Sequence, residues 1–425
     1  MEKQIYPNLS ESVFRETLPN GLTVAVVPRP GFTRKLAYFV ADYGAIHTEF
    51  TLEGQTVRSP EGVAHYLEHK LFDMPDGDVM EKFAALGAAP NAFTSYDMTA
   101  YYFSCTQNFP ECLKLLLEFV STPYFTEGSV QKEQGIIGQE IGMNEDNPDA
   151  RIFENLMTAM YRQHPIRFPI LGTRESIARI TPQVLTQCHR AFYRPGNMLL
   201  CVVGDVDPEQ VKAIAVNTLP REDIAGVQRQ QVWQEEMTCS RSLTETHMEV
   251  AMPMFQLGFK CEPPEKGDAA VTQEAVGDLA AEALFGESSP LYLRLYEEGI
   301  IDASFGGGFE TVDNMAMLTA SGDSDDPKAV RDAIIQQAQQ LVREGLSEKD
   351  FLRMKRSALG RRIRDLDSFD STAFRVCAYH LSDFDYFRFP EIYQAIEQED
   401  ILEFLGRVVT PERCSLSVIY PAKQE

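Results

Sequence analysis

The sequence predicts an α+β protein built from two homologous domains, and three observations carry that expectation. Short β-rich apolar runs alternate with amphipathic helical stretches along the chain. A polar, aperiodic stretch rich in Gln, Arg and Glu interrupts this pattern at residues 217–235. Beyond it, local patterns of the first half recur. The linker is therefore placed at about 221–235, between domains at 1–220 and 236–425.

Taken in order, Leu18-Pro19-Asn20-Gly21 is a turn signal, and the β-rich residues 22–27 after it form a strand. Residues 36–40 form a second strand. A helix spans 61–72, entered through Ser59-Pro60-Glu61 with the proline at an early helical position. A short helix at 78–86 ends at Gly87, and residues 91–104 form two paired extended segments turning at Asp97. Residues 110–120 place Cys112, Leu115, Leu116 and Phe119 on one helical stripe. Helices follow at 127–146, stopped before Asn147-Pro148, at 150–161 and at 182–192. The continuous apolar run 198–203 closes the half as a strand. In the second half, 248–259 is strand-like, 270–285 helical and 316–322 a strand. Helices are expected at 327–342, 348–365 and 391–408, with a last strand at 415–420. Gly306-Gly307-Gly308 follows a strand and is too brief for a phosphate loop, so it reads as a bulge or turn.

Two comparisons indicate duplication. Phe125-Thr126-Glu127-Gly128 opens a helix as Gly345-Leu346-Ser347-Glu348 does. The series helix, Arg194-Pro195-Gly196-Asn197, apolar strand matches helix, Thr410-Pro411-Glu412-Arg413, strand. A repeat of roughly 200 residues is a duplicated domain rather than a solenoid. In this register residues 65–72 lie over 278–285. The apolar positions are kept and both histidines are gone.

Composition excludes several classes. The 425 residues carry a formal net charge of −24, with no basic cluster, which disfavours nucleic acid as a partner. The charge also leaves open an acidic cleft that attracts basic peptides. No run approaches the roughly 18 apolar residues of a membrane helix, and the start shows no signal-peptide core. Eight scattered cysteines without a Cys-x-x-Cys pair argue for a reducing, cytoplasmic location.

The chemistry concentrates in His65-Tyr66-Leu67-Glu68-His69. Two histidines four apart leave the same face of a helix one turn apart, as two ligands of one zinc would. Glu68 is within reach of a water on such a metal, and the order His-x-x-Glu-His is the inverzincin signature. A third ligand must come from elsewhere. Glu133 and Glu140 are seven apart, sharing a helix face as a ligand and an orienting carboxylate would, or as an exposed acidic face.

The chain resembles the pitrilysin/insulinase-type zinc metallopeptidases, which include the mitochondrial processing peptidases. The resemblance rests on Thr17-Leu18-Pro19-Asn20-Gly21-Leu22, on residues 62–69, on Asn91-Ala92-Phe93-Thr94-Ser95 and on Lys132-Glu133 through Glu140-Ile141. Pro169-Ile170-Leu171-Gly172-Thr173 and Tyr193-Arg194-Pro195-Gly196-Asn197 continue it. It implies one zinc per chain on His65, His69 and Glu140, Glu68 as general base, and Glu133 at an auxiliary acidic position. It implies a substrate peptide added as a strand along Asn91, Ala92, Phe93 and Thr94, with Asn91 a candidate oxyanion donor. Each domain would be a mostly antiparallel sheet packed with helices, and the pair would form half of a peptidase chamber. A second family chain would complete the chamber, as a homodimer or as a heterodimer with a homologue lacking the motif. The rival reading is a non-catalytic scaffold or peptide-binding subunit; its relatives usually show broken zinc motifs, whereas this one is complete. The chain departs from the family where an Arg and a Tyr of the second half contact substrate: Tyr296 holds the first place and Asp302 or Ala303 the second.

Overall fold

Two open sheets organise the chain in the computed structural model, which describes residues 1–223, 227–229 and 233–422. The first sheet has the order Glu2–Tyr6, Glu11–Thr17, Thr23–Pro28, Met198–Gly204, Lys35–Ala41, Thr99–Cys105, Ala89–Thr94. The second has the order Leu243–Met248, Cys414–Pro421, Met254–Cys261, Met315–Asp323, Gly306–Val312. The last five strands of the first sheet match the five of the second position for position. In each half the final strand inserts between two early ones, parallel to one and antiparallel to the other. The recurrence seen in the sequence is a recurrence of topology. The remaining pairs in both sheets are antiparallel.

Each half covers the sheet of the other with a helix. Phe369–Leu381 of the second half packs on Met198–Gly204 and Lys35–Ala41. Pro148–Met160 of the first half lies across Met254–Cys261 and Cys414–Pro421. A glycine permits this second approach: a Cβ at Gly258 would come within 2.6 Å of Met160 Sδ. The opposite face of the first sheet is covered by its own helices, among them Val63–Leu71 and Phe109–Ser121. Sheets covered on both faces need strands apolar on both faces, so Met198–Gly204 is buried at every residue. One core cluster runs from Val27, Val40 and Cys201 in the first sheet to Val376 and Cys377 in the second half.

The polar stretch between the halves is tied down where it is described. Gln228–Arg229 pairs with Glu49–Leu52. The Glu235 carboxylate accepts from the backbone N–H groups of Arg162 and His164 and pairs with Lys260 at 3.3 Å. Residues 224–226 and 230–232 of the expected linker lie outside the described residues.

Several elements differ from expectation. The motif helix begins at Val63, so Pro60 stands outside it; Gly62 precedes it with φ +87°, a left-handed conformation suited to glycine. Here two main chains cross. A Cβ on Gly62 would lie 2.4 Å from the Leu171 carbonyl oxygen, and one on Gly172, also at positive φ, 2.6 Å from that of Glu61. The helix expected from residue 150 starts at Pro148, with Asn147 accepting at its cap. Leu115 is only half-buried, while Cys112, Leu116 and Phe119 are buried. The expected strand 248–259 is two strands, Leu243–Met248 and Met254–Cys261, separated around Pro253. The expected helix 391–408 is two, Phe389–Ala395 and Gln398–Val408, broken where Ile396 becomes extended. Gly306-Gly307-Gly308 is neither bulge nor turn but the start of an edge strand. A side chain at Gly307 would strike the Phe285 ring at 2.3 Å, so the glycine lets strand and helix Asp268–Phe285 meet.

Gly62→Ala is expected to lower unfolding stability by about 1–3 kcal/mol, the cost of forcing a side chain into strained backbone. Gly135→Ala, on a helix with open space around its Cβ position, should raise it by roughly 0.5–1 kcal/mol. Denaturant unfolding of the two variants checks both signs.

Candidate metal centre

Two helices build the site. The motif helix Val63–Leu71 is buried along almost all its length. Helix Glu127–Glu145 crosses it, packed through buried Val130, Ile137 and Ile141, and the Tyr66 hydroxyl donates to the Val130 carbonyl. This contact faces the imidazoles of His65 and His69 toward Glu140. The two rings are 4.5 Å apart between centroids. His65 Nε2 lies 3.8 Å and His69 Nε2 3.9 Å from Glu140 Oε2. The His65 side chain is 9% exposed, His69 27% and Glu140 43%, so the cluster opens to solvent on the Glu140 side.

The residues present fit a divalent metal such as zinc. The three donor atoms lie within 4.8 Å of one another. The 3.8 and 3.9 Å separations are too long for hydrogen bonds and near the roughly 3.3–3.5 Å between two ligands of one tetrahedral zinc. Two imidazoles and a carboxylate are an ordinary donor set for that ion. On its far side His69 Nδ1 meets Glu133 Oε1 at 3.0 Å, which holds the proton on Nδ1 and leaves the Nε2 lone pair facing Glu140. His65 Nδ1 is buried without a partner among the described residues.

Electrostatics separate the roles of these groups. Burial, reinforced by neighbouring His69, pushes His65 down to about 3, so it is neutral at neutral pH, as a ligand must be. Burial opposes charge on His69 too. There the hydrogen bond that His69 donates to Glu133 and the charges of Glu68, Glu133 and Glu140 outweigh it, and the net shift is upward. Burial raises the Glu68 carboxyl above the ordinary range, with Glu140 adding to the rise; the Thr94 hydrogen bond and His69 work against it. A raised carboxylate is a better proton acceptor near neutrality than a free one.

Beside these groups lies an open groove of about 580 Å³, with Ala92, Phe93, Thr94 and Tyr96 on one wall and Ile170 and Leu171 on another. Strand Ala89–Thr94 ends the first sheet, so its outer backbone edge has no neighbouring strand among the described residues. Asn91 stands apart from the groove, its Oδ1 accepting from the Ala92 N–H. The resemblance implies that Thr94 pairs with substrate along this strand. Its hydroxyl also donates to Glu68 Oε2 at 2.8 Å. Phe153 and Glu154 line the groove from helix Pro148–Met160 without any signal in the sequence, because they arrive through tertiary packing.

The second half has a larger cavity, about 730 Å³, at the corresponding place. Asp278 and Glu282 stand in the register of His65 and His69, and arginines face them. Arg362 is 3.3 Å from Asp278 and Arg361 3.4 Å from Glu282. Ion pairs close the cluster that the first half leaves as metal donors. Tyr296 is half exposed and stacks on Tyr292, and Asp302 accepts from the N–H of Ser304; neither lines the metal groove.

Comparison with known proteins agrees with this architecture. Residues 57–174 match the family model for insulinase (peptidase family M16), and residues 179–358 match that for the peptidase M16 inactive domain. The chain belongs to the M16 peptidase family. It is 37% identical over 425 residues, 98% of each chain, to YmfH of Bacillus subtilis (strain 168), named an uncharacterized zinc protease. A crystal structure of an M16-like chain from Alicyclobacillus acidocaldarius superposes with a TM-score of 0.91 at 30% identity, covering 97% of this chain and 99% of that one. The periplasmic protease PqqL of Escherichia coli shares the fold at a TM-score of 0.74 and 18% identity; all of this chain covers 48% of that one. No helix among the described residues is long and apolar enough to cross a membrane.

Zinc is expected to stabilise the chain against unfolding by roughly 2.7 kcal/mol at a hundredfold excess over its dissociation constant. His65→Ala and His69→Ala should abolish that gain, and calorimetric scans with and without zinc read it directly.

Proposed function

We propose that the chain is a zinc metalloendopeptidase that hydrolyses peptides or unfolded segments. The observation that carries this reading is the convergence of His65, His69 and Glu140 with the base candidate Glu68 on one groove. Held there, zinc would supply a Lewis acid that brings the pKa of a water toward about 7. Glu68 would accept a proton from the attacking water as its oxygen bonds to the peptide carbonyl carbon, and would deliver that proton to the amine nitrogen as the C–N bond breaks. Glu133 holds the His69 ring in place through Nδ1. The free edge of Ala89–Thr94 pairs with the substrate backbone, which favours extended, unfolded segments over folded ones.

The working unit contains two such chains. This chain spans about half of PqqL, and a groove of openness to solvent on its Glu140 side suits closure by a second family chain, identical or related. Enclosure would exclude folded proteins by size. Whether the product is a processed precursor or a degraded peptide follows from the partner and the compartment, not from these residues.

Glu68→Gln is expected to bind zinc at the wild-type stoichiometry of one per chain and to lose about 10²–10⁴-fold in kcat, the share a general base contributes. Zinc content with turnover of a quenched peptide library checks it. Wild-type turnover in Glu68→Gln refutes the base assignment, and a zinc-loaded wild type without turnover supports the non-catalytic, peptide-binding reading. Native mass spectrometry of the same samples distinguishes a dimer from a monomer that needs a partner.

A further inference from the structure

We infer that Lys70 is a positioning residue of the metal centre, acting through Glu133 on His69. This rests on the zinc reading above and extends it to a residue with no metal-binding chemistry of its own.

Lys70 follows His69 directly, so its side chain leaves the motif helix on a different face from the two imidazoles. That side chain is 1% exposed. An ammonium so deeply buried is costly unless paired, and two carboxylates meet it. One is Asp73, two residues beyond the end of the motif helix, whose side chain is about half exposed. The other is Glu133, whose Oε2 lies 3.8 Å from Lys70 Nζ and which is itself 14% exposed. The other oxygen of the same carboxylate, Oε1, is 3.0 Å from His69 Nδ1. One carboxylate thus lies between a buried cation and the imidazole of a proposed metal ligand, one oxygen hydrogen-bonded to the ring and the other facing the ammonium.

The bridge matters because Glu133 stands among like charges. Glu68 and Glu140 both belong to the same cluster, and a carboxylate without its own counter-charge would be pushed from them toward solvent. Lys70 supplies that counter-charge from the protein side. The ammonium 3.8 Å from Oε2 attracts the Glu133 carboxylate into the orientation that meets His69, and this favours the ring position with Nε2 toward Glu140. A ligand pre-oriented in this way loses less freedom when it binds metal, and removing such outer support typically costs 10–100-fold in metal affinity. Lys70 sits one contact further out, and the low end of that range applies.

The test is the rate at which zinc-loaded chain gives up its metal to an excess of a chromogenic chelator. The proteins are the wild type, Lys70→Met, Lys70→Arg, Glu133→Ala and the double variant Lys70→Met/Glu133→Ala. Lys70→Met should release zinc about tenfold faster than wild type, and Lys70→Arg, which keeps the buried charge, should restore much of the difference. In the Glu133→Ala background, Lys70→Met should add less than twofold, because the route through Glu133 is already gone. Should Lys70→Met fail to fold by circular dichroism, Lys70→Gln takes its place in every comparison. Zinc release at the wild-type rate from Lys70→Met overturns the inference, as does a full tenfold effect on top of Glu133→Ala. A drop in the unfolding temperature of the zinc-free variant with unaltered release also overturns it, since it shows a purely structural lysine. A wild-type chain that takes up no zinc overturns the metallopeptidase reading itself, an outcome distinct from these.

Discussion

The exchange of helices between the halves is the constraint on which the rest depends. Phe369–Leu381 covers the first sheet and Pro148–Met160 covers the second, so neither sheet is complete without the other half of the chain. Removing either helix would expose a face of buried apolar residues, including Val40 and Cys201 on one sheet and Met315 and Met317 on the other. Burial of such faces is the dominant favourable contribution to folding, at about 25 cal/mol per Å² of apolar surface. The two halves therefore form one cooperative body. A linker tied down by Gln228–Arg229 and Glu235 is consistent with that, since a free hinge would serve no purpose here.

Duplication left two copies of the same architecture, and the copies differ in what fills one place. Each half sets a helix against the inner side of its edge strand and crosses it with a second helix. In the first half the facing side chains are His65, His69 and Glu140, donors held apart at distances that suit an ion between them. In the second half the counterparts are Asp278 and Glu282 facing Arg362 and Arg361, which satisfy one another directly. Burial and Glu274 push Asp278 up to about 6 even though Arg362 opposes the shift, and the arginines stand where a cation would otherwise meet these carboxylates. A site that is electrostatically closed has no demand for a cation. The difference between the two halves thus reduces to whether the charged groups at one helix crossing pair with one another directly.

Much of this was legible in the sequence, and the gaps have physical causes. The His65–His69 spacing, the reach of Glu68 and the seven-residue interval from Glu133 to Glu140 are local helical geometry, which a sequence displays openly. The duplication was visible because turn residues and apolar strands repeat in order. What the sequence hid is whatever depends on contact across long separations. Lys70 next to a histidine gives no sign that it is buried, Thr94 in an extended run gives no sign that its hydroxyl meets Glu68, and helix Phe369–Leu381 escaped notice altogether. Gly306-Gly307-Gly308 was misread because glycine usually marks a turn; here the absent side chain serves the packing of Phe285 against a strand.

The edge strand Ala89–Thr94 joins the two themes. Its last residue, Thr94, donates to Glu68, so the strand that would align a substrate also orients the group that would take a proton. The preceding residue, Phe93, has its ring centroid 6.0 Å from that of Phe374, which belongs to the helix contributed by the second half. Adjacent residues of one strand are thus held from opposite sides, one by the motif helix and one by the exchanged helix. A displacement of the halves relative to each other would move Phe93, and through the strand would move Thr94 and the free oxygen of Glu68. No described residue of the second half lines the groove, yet that half bears on it through this strand. By fixing the strand it fixes the distance between the free backbone edge and Glu68, and the proposed cleavage depends on that distance as well as on the metal donors.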